Sequence, residues 1–321
     1  MKMTFASCRW LLALAVVVEV LPSIPALTIT FDYTYDTSGF FNSQARRDLL
    51  NEAAANLTSR ITDSLTAIVP SGANTWTANP FDPNDPNSIL SITNLVVPAN
   101  TMVVYVGASN LGDGTLGEGG PGGYGASGTT QAWFDTVGGR GQSGALLDTP
   151  TDFGPWGGTV TFNNTAAWYF DSDPSTTENI GSLTDFYSVA LHELGHVLGI
   201  GTAGSWTAQS SGGFFTGSHA MALNGGSVAL SPDGGHWAQG TMSTVVGTGV
   251  AQEVAMDPSL TQGTRKYFTA LDFGALQDVG WQLASIPESS TLAWVAVGGL
   301  AGVIWRRRNL QVLPVRVGSA R

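Results

Sequence analysis

The sequence predicts an α+β domain, and three observations predict it. Residues 27–33, Leu-Thr-Ile-Thr-Phe-Asp-Tyr, alternate apolar and polar side chains, the period of a half-buried strand. A helical pattern follows, capped at Asn42 or Ser43 and reaching about Ile68, with apolar residues at Leu49, Leu50, Ala53, Leu57, Ile61, Leu65 and Ile68. A second apolar run, Thr-Met-Val-Val-Tyr-Val at 101–106, reads as a strand buried on both faces. A strand, a long amphipathic helix and a buried strand call for a layered packing, since none of them can bury its apolar face alone.

The remaining elements follow in order. Residues 80–87, rich in Pro, Asn and Asp, are a turn region. Residues 108–143 are dense in glycine without a repeat period and predict a long surface loop. Asp113, Glu118 and Asp135 within it could supply oxygen ligands to Ca²⁺, although isolated acids in a loop are usually just solvated. Segments 158–163 and 167–170 read as further strands leading into a polar turn at 171–177. A second helix is expected over 186–198, with Asp185 as its N-cap and Gly199 as its stop.

Both ends look like address labels. Lys2 and Arg9 precede an apolar run at 10–18 and a polar stretch ending in Ala26, the layout of a secretory signal peptide over 1–26. The single cysteine, Cys8, falls inside that leader, so the exported chain would have no thiol and no disulfide. Residues 27–285 carry 22 acidic and 6 basic residues, a net of −16, which argues against nucleic acid as a partner.

The chemistry concentrates in His192-Glu193-Leu194-Gly195-His196. Residues four apart share a helix face, so His192 and His196 can present two imidazoles to one ion, while Glu193 sits one residue round, placed to act on a water. A buried helix that merely happens to carry two histidines would bury polar rings without partners. Catalytic zinc takes three protein ligands and leaves a fourth position open. The remaining histidines are His219 and His236, with Glu253 and Asp233 as carboxylate alternatives.

Four segments carry a family likeness: His-Glu-Leu-Gly-His-Val-Leu-Gly-Ile-Gly-Thr at 192–202, Gly-His-Trp at 235–237, Gln-Glu-Val-Ala-Met-Asp-Pro at 252–258, and Thr-Ala-Leu-Asp-Phe-Gly-Ala-Leu-Gln-Asp-Val-Gly-Trp at 269–281. Together they resemble the leishmanolysin-like branch of the metzincin zinc peptidases, in which an insertion separates the glycine of the motif from the third histidine. The resemblance implies a zincin fold, with a mixed twisted sheet, an active-site helix and a C-terminal subdomain. The catalytic domain would be 27–285, with an upper part at 27–199 and a lower part at 200–285. It implies His236 as third ligand, Met256 as the methionine beneath the metal, and a closing helix over 268–278. Thr202 stands where the short metzincin motif has its third histidine, and Glu-Val-Ala-Met has one residue more than the family's usual Glu-Leu-Met.

The expected activity is zinc-dependent endopeptidase action on a protein or peptide, with Glu193 as general base. Two other classes compete: a non-catalytic surface or matrix protein stapled by zinc, and a glycan-binding adhesin suggested by the Gly/Thr/Asn-rich loops. At the far end, Ile-Pro-Glu-Ser-Ser at 286–290 leads to a 15-residue apolar run at 291–305 and then Arg306, Arg307 and Arg308. Residues 286–321 resemble the PEP-CTERM sorting signal of Gram-negative bacteria. That implies processing by an exosortase, membrane contact only through this tail, and residence at the cell surface or in the extracellular matrix.

Overall fold

The alternating stretch at the start becomes β1 (Thr28–Asp32), the edge of a four-stranded sheet. Its neighbours are β2 (Thr101–Ser109), β3 (Gly117–Pro121) and β4 (Gly157–Asn163), in the spatial order β1-β2-β4-β3. β1, β2 and β4 run parallel, and β3 closes the other edge antiparallel to β4. The computed structural model describes residues 27–176 and 178–284. The expected signal peptide at 1–26 and the expected sorting tail with its apolar run at 291–305 lie outside the described residues. Among the described residues no helix is long and apolar enough to cross a membrane.

β2 is buried on both faces, as its composition predicts. Met102, Val104 and Val106 join the core beneath α1 (Gln44–Thr58) and α3 (Phe186–Val197). Val103 and Tyr105 point the other way, into a smaller core with Ile68, Trp76, Val97, Trp133 and Trp156. That second core lies under a three-stranded sheet (Ile92–Thr93, Thr75–Asn79, Gly123–Ser127) and α2 (Gln131–Gly139).

Two expectations are corrected. The first helix stops at Thr58, ten residues short of Ile68. Ile61, Leu65 and Ile68 keep their buried positions, but Ile61 bridges to Leu283 and Ile68 to Val97 in extended conformation. The β-branched run before Pro70 disfavours helix, and distant backbone partners satisfy the chain instead. The glycine-rich stretch at 108–143 is no surface loop: it holds β3, the strand Gly123–Ser127 and α2. The Thr130 hydroxyl caps α2 by accepting from Trp133 N. Beyond α2, buried Arg140 donates to the carbonyls of Thr66, Pro98, Thr101 and Pro155, tying this segment to the sheet.

After α3 the elements shorten. α4 (Gly204–Ala208), α5 (Ser218–Asn224), a three-stranded sheet (Ser210–Ser211, Phe214–Phe215, Val228–Ala229) and a hairpin (Met242–Thr244 with Ala251–Glu253) precede α6 (Ala270–Val279). Trp206, Phe215 and Trp237 pack face to face and edge to face at centroid distances of 4.1–5.5 Å, giving this region an aromatic centre. α6 occupies the span of the expected closing helix and opens with a capping box between Thr269 and Asp272. The whole is a mixed α+β structure with several small sheets and six helices among the described residues.

Candidate metal centre

α3 begins as the sequence predicts. The Asp185 carboxylate accepts from Ser188 N at 3.0 Å and from Ser188 Oγ at 2.6 Å. Arg265, from the lower region, grips the same carboxylate through Nη2 at 2.8 Å and also meets Asp171 at 2.7 Å. The helix is buried almost throughout, with Leu191, Leu194 and Val197 in the core. His192 and His196 therefore project together from its remaining face.

Glycines bring the third histidine to them. Gly199 and Gly201 have φ of 104° and 75°, which turn the chain back after α3. A Cβ on Gly201 would stand 2.2 Å from the Gly235 carbonyl oxygen, so the segment carrying His236 lies directly against this turn. Thr202 closes the end of α3 by donating Oγ1 to the His196 carbonyl at 2.7 Å.

The three Nε2 atoms form a triangle: His192 to His236 3.1 Å, His192 to His196 3.1 Å, His196 to His236 3.0 Å. Each Nδ1 is committed elsewhere. His192 Nδ1–H donates to Ala255 O, His196 Nδ1–H to Ile200 O and His236 Nδ1–H to Asp233 Oδ2, all at 2.8 Å. These partners assign the tautomer and leave three bare Nε2 lone pairs facing one another with no proton between them. Such an arrangement is repulsive unless a cation lies among them. Tetrahedral zinc holds imidazole nitrogens roughly 3.3–3.4 Å apart, a few tenths of an ångström wider than found here. The donor set fits a metal, and imidazole suits Zn, Cu, Fe and Ni alike.

Electrostatics agree with neutral ligands. Burial, reinforced by His236, pulls the His192 imidazole down to about 4. Burial together with His192 and His236 holds His196 well below the usual histidine range. Glu193, 5% exposed, is pushed up to about 8, first by burial and then by the charge of Glu118. A cation beside it would oppose that shift.

Glu193 and the imidazoles of His192 and His236 line a cleft of about 530 Å³, walled on one side by Gly117 and on the other by Ala255 and Pro258. β3 passes so close to α3 that a Cβ on Gly117 would stand 2.7 Å from Glu193 Oε1, and one on Gly119 2.5 Å from the Glu193 carbonyl oxygen. Met256 is fully buried beneath the helix; a Cβ on Gly195 would meet its Sδ at 2.5 Å.

The other candidates stand apart. His219 is held by Asp278, Nδ1 to Oδ1 at 2.9 Å, and does not join the trio. Asp233 fixes the His236 ring, and Glu253 pairs with Lys266 Nζ at 2.9 Å. Among the described residues the three histidines are the one group of three or more His, Cys, Asp or Glu side chains within reach of each other, so Asp113, Glu118 and Asp135 are not drawn into one cluster. Asp135 instead accepts from Gln131 within α2.

Sequence reasoning missed Asp272. Its buried carboxylate accepts from Trp237 Nε1, Ala255 N, Met256 N, Thr269 N and Thr269 Oγ1 at 2.8–3.2 Å. It thus holds at once the turn under α3, the neighbour of His236 and the start of α6. The Thr-x-x-Asp spacing at 269–272 was the available signal. No family model, no curated protein and no solved structure matches this chain.

Proposed function

We propose that the protein is a zinc-dependent endopeptidase of the leishmanolysin-like metzincin type, exported and retained at the cell surface or in the matrix. The observation that carries this reading is the triangle of bare imidazole nitrogens with Glu193 beside it in one open cleft. A structural zinc site would be closed by a fourth protein ligand, and it would have no use for a carboxylate next to the metal. Met256 under α3 and the α6 span match what the family resemblance implies.

His192, His196 and His236 would hold the ion. Bound zinc lowers the pKa of water towards neutrality and polarises a scissile carbonyl. Glu193 takes the proton of the attacking water and returns it to the leaving amine. Asp233, Ala255 O and Ile200 O keep the three rings oriented through Nδ1, so the ligand nitrogens stay aimed at one point. The outer edge of β3 is unpaired within the sheet and passes over Glu193. It offers backbone donors and acceptors to an extended peptide.

The test is zinc stoichiometry and casein or peptide cleavage by the full chain, with and without chelator. Glu193→Gln is expected to keep one zinc and to lose at least about a hundredfold in turnover. His236→Ala is expected to lose the metal. Full zinc retention by His236→Ala, or wild-type turnover by Glu193→Gln, refutes the assignment.

A further inference from the structure

We propose that Asp63 and Asp152 form a Ca²⁺ site that clamps three distant segments of the chain together, an inference that stands apart from the peptidase reading. Both carboxylates are placed by the stretch after α6. Gln282 N donates to Asp63 Oδ2 at 2.7 Å, and the Gln282 carbonyl accepts from Thr62 N at 2.8 Å. Two residues earlier the chain passes Asp152: a Cβ on Gly280 would stand 2.5 Å from Asp152 Cα and 2.5 Å from its Oδ1. That oxygen accepts from Phe153 N at 2.7 Å, and the Phe153 ring meets Trp281 edge to face at 6.3 Å. The two carboxylates thus flank the same three residues, 280–282.

Asp63 is the observation that points to a ligand. It is 4% exposed, and its Oδ1 is buried without a hydrogen-bond donor. A carboxylate oxygen shut away from water is costly unless a positive charge or a proton meets it. Burial raises the pKa of both groups, and the charge of Asp152 adds to the rise at Asp63. Arg265 and Lys266 spend their ion pairs on Asp171, Asp185, Glu253 and Asp257, and among the described residues no basic side chain pairs with Asp63 or Asp152.

The donors suit Ca²⁺. They are oxygens alone, which disfavours the metals that imidazole or thiolate holds. Asp152 also borders a hollow of about 220 Å³ lined by Pro150, Phe153, Gly154 and Gly204, which gives an ion an entry path and room for waters. Water and backbone carbonyls commonly complete the six to eight oxygens around Ca²⁺, whereas Mg²⁺ demands a strict octahedron. Residues 27–285 contain no cysteine, so no disulfide braces them. An ion here ties the segment after α1, the stretch before β4 and the stretch after α6, and so joins the regions on either side of Gly199.

The experiment follows melting of the full chain, with zinc held constant, in calcium-free buffer and at about 10 mM CaCl₂, NaCl matching the ionic strength. Extracellular sites bind Ca²⁺ with Kd on the order of 10⁻⁴–10⁻³ M, so the wild-type melting temperature is expected to rise by about 3 °C or more. Asp63→Asn and Asp152→Asn are near-isosteric and keep an oxygen for the backbone donors. In each, the rise is expected to shrink below about 1 °C, whatever the starting stability of the variant. Tb³⁺ gives a second readout, because it takes the place of calcium and Trp281, set between the two contact residues, can excite it. Its emission should saturate in the wild type, fall on adding excess Ca²⁺ and be largely lost in both variants. A calcium-dependent rise or Tb³⁺ emission that persists undiminished in the variants places the ion elsewhere and overturns the site. No rise in the wild type overturns it as well, and shows that a proton neutralises the pair.

Discussion

The regions before and after Gly199 are built by different means. From Thr28 to Val197 long elements carry the fold: a nine-residue strand buried on both faces, and two helices of 15 and 12 residues lying over it. Beyond Gly199 no described strand exceeds three residues, and buried polar groups do much of the fastening. Asp272 gathers five donors, Lys266 Nζ bonds Asp257 and the Ser259 carbonyl, and Asp278 receives the backbone N–H of His219 and Ala220. The imidazole trio straddles both regions. The helix period alone sets the spacing of His192 and His196, whereas the place of His236 depends on that polar network. Precision in the second region is therefore more fragile than in the first.

Substitutions should separate the two. Asp272→Ala strips an acceptor from five buried donors, and with each unpaired donor worth on the order of 1 kcal/mol or more, a loss of about 4 kcal/mol is expected. It should abolish zinc binding as well, read by denaturant titration and metal analysis. Leu50→Ala, in the α1 core, is expected to destabilise by about 3 kcal/mol while the folded protein keeps its zinc affinity. If both variants lose zinc in proportion to stability, the contrast fails. Gly119→Ala forces β3 off α3, because the added methyl stands 2.5 Å from the Glu193 carbonyl oxygen; about 2 kcal/mol and reduced turnover are expected. Asp233→Asn should weaken zinc binding about tenfold in a competition titration and leave the metal-free melting temperature unchanged.

The metal-free protein carries a pH dependence as well. His192 is held near 4 in the fold, so the unfolded chain binds its proton first and stability drops as pH falls from about 6.5 to 4. Glu193 titrates near 8 in the fold, so between about 4.5 and 8 the folded state holds the extra proton and stability declines as pH rises. Glu193→Gln removes only the second slope. Its melting temperature relative to wild type should climb from pH 5 to pH 8, and a flat difference would show that Glu193 ionises freely in the fold.

What could be read from the sequence follows the same divide. The Asp185 cap, the α3 span and the paired histidines are local features with strong period and capping signals, and they stand where expected. The end of α1 escapes the periodicity because Leu57, Ile61, Leu65 and Ile68 keep a helical spacing, while Ile61 and Ile68 bridge to distant segments and Leu65 exchanges hydrogen bonds with Asn100. The glycines of β3 looked like loop composition. Their purpose, close approach to α3, is visible only when both elements are placed. His236 was reachable through resemblance and His219 was a fair rival by composition. The contact between Gly201 and Gly235 separates them, and no local signal encodes it.

Met256 gives the centre a built-in reporter of opening. Its thioether is fully buried against the backbone of Gly195, where a sulfoxide oxygen would have neither room nor a hydrogen-bond partner. Peroxide can reach the sulfur only when the turn lifts away from α3. The rate at which Met256 gains 16 mass units, against that of exposed Met242, therefore times the breathing of the metal site.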